Sequence, residues 1–69
     1  MAISYNKLFK LLIDKNMKKT ELAKATGIGQ NTLAKLSKNQ TVSMDVLMRI
    51  CEVLSCNIGD IVDFVEAEK

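Results

Sequence analysis

The chain contains no proline, no histidine and no tryptophan, and only three glycines, two cysteines and three aromatic residues in 69 positions. Each shortage excludes something. Without histidine there is no Ser–His or Cys–His pair. Without clustered carboxylates there is no acid–base dyad either, so an enzyme is not expected. A metal site would have to combine Cys51 and Cys56 with carboxylates, so neither metal nor other cofactor is expected. Two cysteines are too few for a disulfide framework, and both are read as small buried hydrophobes. Tyr5, Phe9 and Phe64 are too few to form a stacking platform for single-stranded nucleic acid. No apolar run is long enough to span a bilayer, and no signal-peptide pattern opens the sequence, so a cytoplasmic location is expected. No feature points to a small-molecule ligand.

What remains is a chain with 48% apolar and 26% charged residues, the proportions of an ordinary soluble fold. Its length predicts a single domain over residues 1–69, with a small core and modest stability. The net charge is only +2, but it is unevenly spread. Residues 1–38 carry eight lysines against Asp14 and Glu21; residues 39–69 carry Arg49 and Lys69 against six acids. A basic half opposite an acidic half suits a polyanionic partner, although lysines on a solvated surface give the same count.

Helical periodicity dominates the chain. Tyr5, Leu8, Phe9 and Leu12 make one apolar stripe, predicting a helix over residues 4–15 with Ser4 as N-cap. A second helix should start after Lys18, which offers no acceptor for a cap. Glu21 stands where a capping-box acid belongs, and Met17 and Leu22 are spaced as a hydrophobic staple. A third starts after Gly29, with Ile28 and Leu33 as its staple and Asn39 suited to the left-handed conformation that closes it. A fourth runs from its cap Ser43 to Leu54, with Leu47, Ile50, Cys51 and Leu54 inward. A short fifth helix is expected after Asn57, with Asp60 as its box acid and Ile58, Ile61, Val62 and Val65 on one face. Five short helices with short connections predict a compact all-α five-helix bundle.

The segment "ELAKATGIGQNTLAKL" favours helix at both ends and breaks at Gly27-Ile28-Gly29. Gly27 can take the positive φ that ends one helix and turns the chain sharply, and Gly29 begins the next. Ala23 is small where the two helices cross, and Leu22, Ile28, Leu33 and Leu36 fill the space between them. This arrangement is a helix-turn-helix.

At this point the sequence resembles the phage repressor and Cro type (Xre family) of helix-turn-helix regulators. The matching stretch is "KTELAKATGIGQNTLAKLSK", with Leu22, Ala23, Gly27, Ile28, Leu33 and Leu36 as its key positions, and "SMDVLMRICEVLSCNIGDIV" looks like the family's fourth and fifth helices. Lys18 and Gly29 depart from the family's common Ser/Thr caps, and Val42 and Ser55 stand where Pro and Gly are frequent. The resemblance implies a sequence-specific duplex-DNA-binding transcriptional regulator with its recognition helix, about residues 30–38, in the major groove. Carried over by position, Gln30, Asn31, Thr32 and Lys35 are the candidate base readers. Gln and Asn can pair bidentately with adenine, and Lys can donate to guanine. Candidate phosphate contacts are Lys18 and Lys19 at the start of the second helix, and Lys38 and Asn39 after the third. Lys7, Lys10 and Lys24 are read as solubility lysines. The alternative is a protein-interaction module, antirepressor or antitoxin-like, that keeps the fold without binding DNA.

One module of this size buries limited surface, so a homodimer on a palindromic operator is expected. Phe64, Met44 and Met48 lie off the inward stripes and are candidates for the interface. The β-branched run from Ile61 to Val65 offers another geometry, a strand paired with its own copy.

Overall fold

The computed structural model describes residues 1–66. In chain order it contains β1 (Ala2–Ser4), α1 (Asn6–Asp14), α2 (Lys19–Thr26), α3 (Gln30–Ser37), α4 (Met44–Leu54), a 3₁₀ turn (Ile58–Asp60) and β2 (Asp63–Val65). The four helices pack around Leu8, Leu12, Leu22, Leu36, Leu47, Ile50, Leu54 and Ile61, all buried. Fully burying a side chain of this size contributes about 1.5–3 kcal/mol. α2 packs chiefly against α4 rather than against α3.

Local chemistry explains where the helices stop. Asn16, Asn39 and Ser55 have φ of 59°, 56° and 52°, the left-handed region. After each, the chain returns a backbone bond: Met17 N to Leu12 O at 2.9 Å, Gln40 N to Lys35 O at 2.9 Å, Cys56 N to Cys51 O at 3.0 Å. These are Schellman closures without glycine, tolerated best by short polar residues that can bond locally. α2 ends instead on Gly27, with φ 75° and its N–H donated to Ala23 O at 2.9 Å.

Two expectations need correction. Among the described residues there are four α-helices, not five, and the fold is mainly rather than wholly helical. The expected fifth helix forms one 3₁₀ turn. Asp60 does act as the box acid, its Oδ2 accepting from Asn57 N at 3.0 Å. The chain then extends. A helix would have needed Ile58 and Val65 inward, but both are exposed, and of that face only Ile61 is fully buried. The end of the run, Asp63–Val65, instead pairs antiparallel with β1, placing Ala2 opposite Val65, Ile3 opposite Phe64 and Ser4 opposite Asp63. Of the strand weighed over Ile61 to Val65 only Asp63–Val65 forms, and its partner is β1 of the same chain rather than a second copy. Because β1 takes Ser4, α1 starts later than expected, at Asn6; the buried Ser4 still accepts from Asn6 N through its Oγ at 3.3 Å.

The cysteines also differ from expectation. Both are free and half-buried rather than fully enclosed, because Cys56 lies just beyond the αL turn at the end of α4.

Candidate nucleic-acid interface

The turn between α2 and α3 is short and geometrically simple. Gly27 turns the chain, Ile28 is half-buried against the core, and Gly29 is extended at φ −83°, ψ 172° before α3 begins. Leu33 and Leu36 anchor the inner face of α3. Gln30, Asn31 and Lys35 are exposed and Thr32 is half-buried. Asn31 and Lys35 are one turn apart, so they share a face of the helix. Among the described residues none of these four side chains enters a hydrogen bond or ion pair within the protein. An exposed helix face of amides and an ammonium, held by leucines behind it, presents donors and acceptors outward.

The phosphate candidates fall at the ends of the same two helices. Lys18 precedes α2 and Lys19 opens it, where the helix dipole is already positive. Two features offset this placement. The Glu21 carboxylate accepts from Lys18 N at 2.9 Å, and the Lys19 ammonium lies 4.4 Å from the centre of the Phe9 ring, a cation–π contact worth about 0.5–1 kcal/mol at an exposed site. Lys38 follows α3 at its C-terminal end, where a cation is favoured. Asn39 closes that helix, and its Oδ1 accepts from Tyr5 N at 3.0 Å. Its carbonyl is therefore committed internally, and its amide nitrogen is the group left to donate outward.

Three structural features around these helices were not legible in the sequence. Tyr5 is fully buried and clamps the end of α3 to the start of α1, donating its hydroxyl to Gln40 O at 2.7 Å. Burial raises its phenol above the usual range, opposed by the Val42 backbone. Thr26 is buried and donates to Leu22 O at 2.7 Å, filling a position just before the turn without leaving its hydroxyl unpaired. Thr20 and Lys24 share a groove with Gln30 between α2 and the start of α3; spacing on α2 relative to the turn was the available signal.

A buried-leucine scaffold that projects one polar helix, with a second basic helix start beside it, defines a helix-turn-helix DNA-binding domain. The family comparison is specific: the Cro/C1-type HTH DNA-binding domain profile matches residues 7–67, and the chain belongs to that family. Among solved structures it is similar to the transcriptional regulator VanUg (crystal form II), at 56% identity and a TM-score of 0.88, covering 90% of this chain and 83% of that one. No curated protein matches the chain.

Proposed function

We propose that this chain is a sequence-specific regulator of transcription that docks the N-terminal half of α3 in the major groove of duplex DNA. The observation that carries this reading is the outward face of α3, where Gln30, Asn31 and Lys35 are exposed above Leu33 and Leu36 and, among the described residues, enter no side-chain hydrogen bond or ion pair. In this reading Gln30, Asn31, Thr32 and Lys35 read bases, while Lys18, Lys19, Lys38 and the Asn39 amide hold phosphates. Thr20 and Lys24 join the phosphate contacts because they flank Gln30. The regulator described by the similar solved structure is consistent with this role.

The test is selection of preferred sequences from a random duplex pool, followed by binding of Gln30→Ala and Asn31→Ala. Each variant should lose about 1–3 kcal/mol of discrimination, the worth of one bidentate base contact, with non-specific binding nearly unchanged. Wild-type preference in both variants would remove α3 from base reading. A chain that shows no salt-dependent affinity for any duplex would instead favour the interaction-module alternative.

The same reading includes a homodimer on a palindromic operator. Phe64 on β2 is 64% exposed and Val65 beside it 42% exposed, an apolar edge at the end of the chain opposite in charge to the lysine-rich half. Sedimentation should show concentration-dependent dimers that Phe64→Asp abolishes. A wild-type chain that remains monomeric and occupies its site singly would overturn the pairing.

A further inference from the structure

A second surface is formed where the end of α1 meets the start of α2. α1 closes in a Schellman turn on the left-handed Asn16: Asn16 N donates to Ile13 O at 3.0 Å and Met17 N to Leu12 O at 2.9 Å. Such a closure brings the residue after the left-handed position back onto the last turn of the helix, so Met17 returns towards Leu12 and packs on the core. Lys18 is then extended and α2 begins. The result is a groove of about 640 Å³ lined by the apolar Phe9, Leu12, Ile13 and Met17 and by the cations Lys18 and Lys19.

Two observations define what fits this groove. The first is apolar. Ile13 is 77% exposed, and Phe9 precedes it by one turn, so the two stand in line along α1. The second is charge. Residues 9–20 carry Lys10, Lys15, Lys18 and Lys19 against Asp14. Lys10 precedes Ile13 by three residues and so flanks it on α1. The Lys19 ammonium lies 4.4 Å from the centre of the Phe9 ring, directly over the apolar lining. Glu21 is the next acid along the chain, and its carboxylate is bonded to Lys18 N at 2.9 Å. A complementary surface must therefore offer apolar groups and carboxylates together. An amphipathic helix does so, with anchors at i, i+3, i+4 and i+7 and acids beside them. A second copy of this chain fits less well. Its exposed Met44 and Met48 lie on α4, a different face, so the contact would be head-to-tail and would build rings or filaments rather than a two-fold pair.

We propose that this groove docks an acidic amphipathic helix of a partner protein, and that the docked helix displaces DNA. The displacement rests on the proposed DNA reading, in which Lys18 and Lys19 hold phosphates. The partner's carboxylates take the same two ammonium groups, so helix and duplex exclude one another. The coupling is reciprocal: DNA lowers the affinity for the helix by the factor by which the helix lowers the affinity for DNA.

The test uses the full chain and two helical peptides of about 18 residues, long enough to hold a helix in isolation. One carries Leu at the four anchor positions and Glu and Ala elsewhere; the other has Lys for each Glu. Titrated without DNA, the Glu peptide should shift the nuclear magnetic resonances of Phe9, Ile13, Met17 and Lys19, and its binding should weaken with salt. The Lys peptide should not bind there. Ile13→Asn changes an exposed side chain and should keep the wild-type circular dichroism, yet lose about tenfold in affinity for the Glu peptide, the worth of one buried aliphatic anchor. The Glu peptide should release a labelled duplex from the wild type. Ile13→Asn should hold the same duplex as the wild type does and need about tenfold more peptide to release it. Absence of shifts at these residues, equal binding of the two peptides, or unchanged peptide affinity in Ile13→Asn would each overturn the groove. Peptide that binds while the duplex stays bound would overturn the displacement. A chain that binds the peptide but no duplex would refute the DNA reading and the displacement with it, and would still support the groove. Self-association abolished by Ile13→Asn but not by Phe64→Asp would assign the groove to a second copy and overturn the partner helix.

Discussion

The start of α4 and the starts of α2 and α3 are built differently. α4 begins on Ser43, whose Oγ accepts from Val46 N at 3.3 Å, with Asp45 in the first turn where a negative charge suits the dipole. α2 begins on Lys18 and α3 on Gly29, and neither residue supplies a side-chain cap hydrogen bond. α4 also buries Leu47, Ile50 and Leu54 and is the element on which α2 chiefly packs. The helix that supports the fold thus starts on a side-chain cap, whereas α2 and α3 start without one; at α2 the Glu21 carboxylate supplies only the reciprocal bond from Lys18 N. Lysines at a helix start are unfavourable until negative charge arrives, and under the proposed docking the phosphates would supply it. Departures from local optimality of this kind concentrate where a protein acts on something else.

The comparison makes its largest prediction in the core. Ile50→Ala removes a fully buried side chain from α4 and should destabilise the domain by about 2–5 kcal/mol. That is a large share of what so small a core supplies. α2 and α3 should melt together with α4 in one transition by circular dichroism. Lys35→Ala, on the exposed face of α3, should shift stability by less than about 0.5 kcal/mol. If Ile50→Ala left the unfolding midpoint near wild type, α4 would not be the support that its burial indicates.

How far the sequence revealed this molecule follows the same division. Helices with strong apolar stripes and explicit stop residues were legible: Gly27 and Asn39 end α2 and α3 where expected, and Ser43 caps α4. The helix-turn-helix was legible because its glycines interrupt an otherwise helical segment. The two ends of the chain were not. Residues 58–65 fit a helical period on paper, since Ile and Val satisfy both helix and strand patterns over so short a run. Pairing with Ala2–Ser4, a contact across nearly the whole sequence, decided the outcome. The Tyr5 clamp on Asn39 and Gln40 escaped for the same reason: its partners are 34 and 35 residues away. Of the candidate interface, exposure of Gln30, Asn31 and Lys35 followed from their place opposite Leu33 and Leu36. The engagement of Lys19 with Phe9 and of Asn39 with Tyr5 did not.

The smallest predicted effects test the caps themselves. Ser43→Ala removes the one cap hydrogen bond at the start of α4 and should cost about 1 kcal/mol. Gly29→Ser makes the opposite change at α3. Gly29 already has extended backbone angles, and a Cβ placed there meets nothing within 4 Å, so serine can adopt the conformation without strain. Its hydroxyl can then accept from an N–H in the first turn of α3, for a gain of only a few tenths of a kcal/mol, because glycine is itself a tolerable cap. Urea midpoints of the two variants should therefore move in opposite directions, with the Ser43→Ala shift the larger. A Gly29→Ser variant less stable than wild type would mean that α3 starts under a constraint other than capping. The contrast between the supporting helix and the helices of the proposed DNA surface would then have to be argued from packing alone.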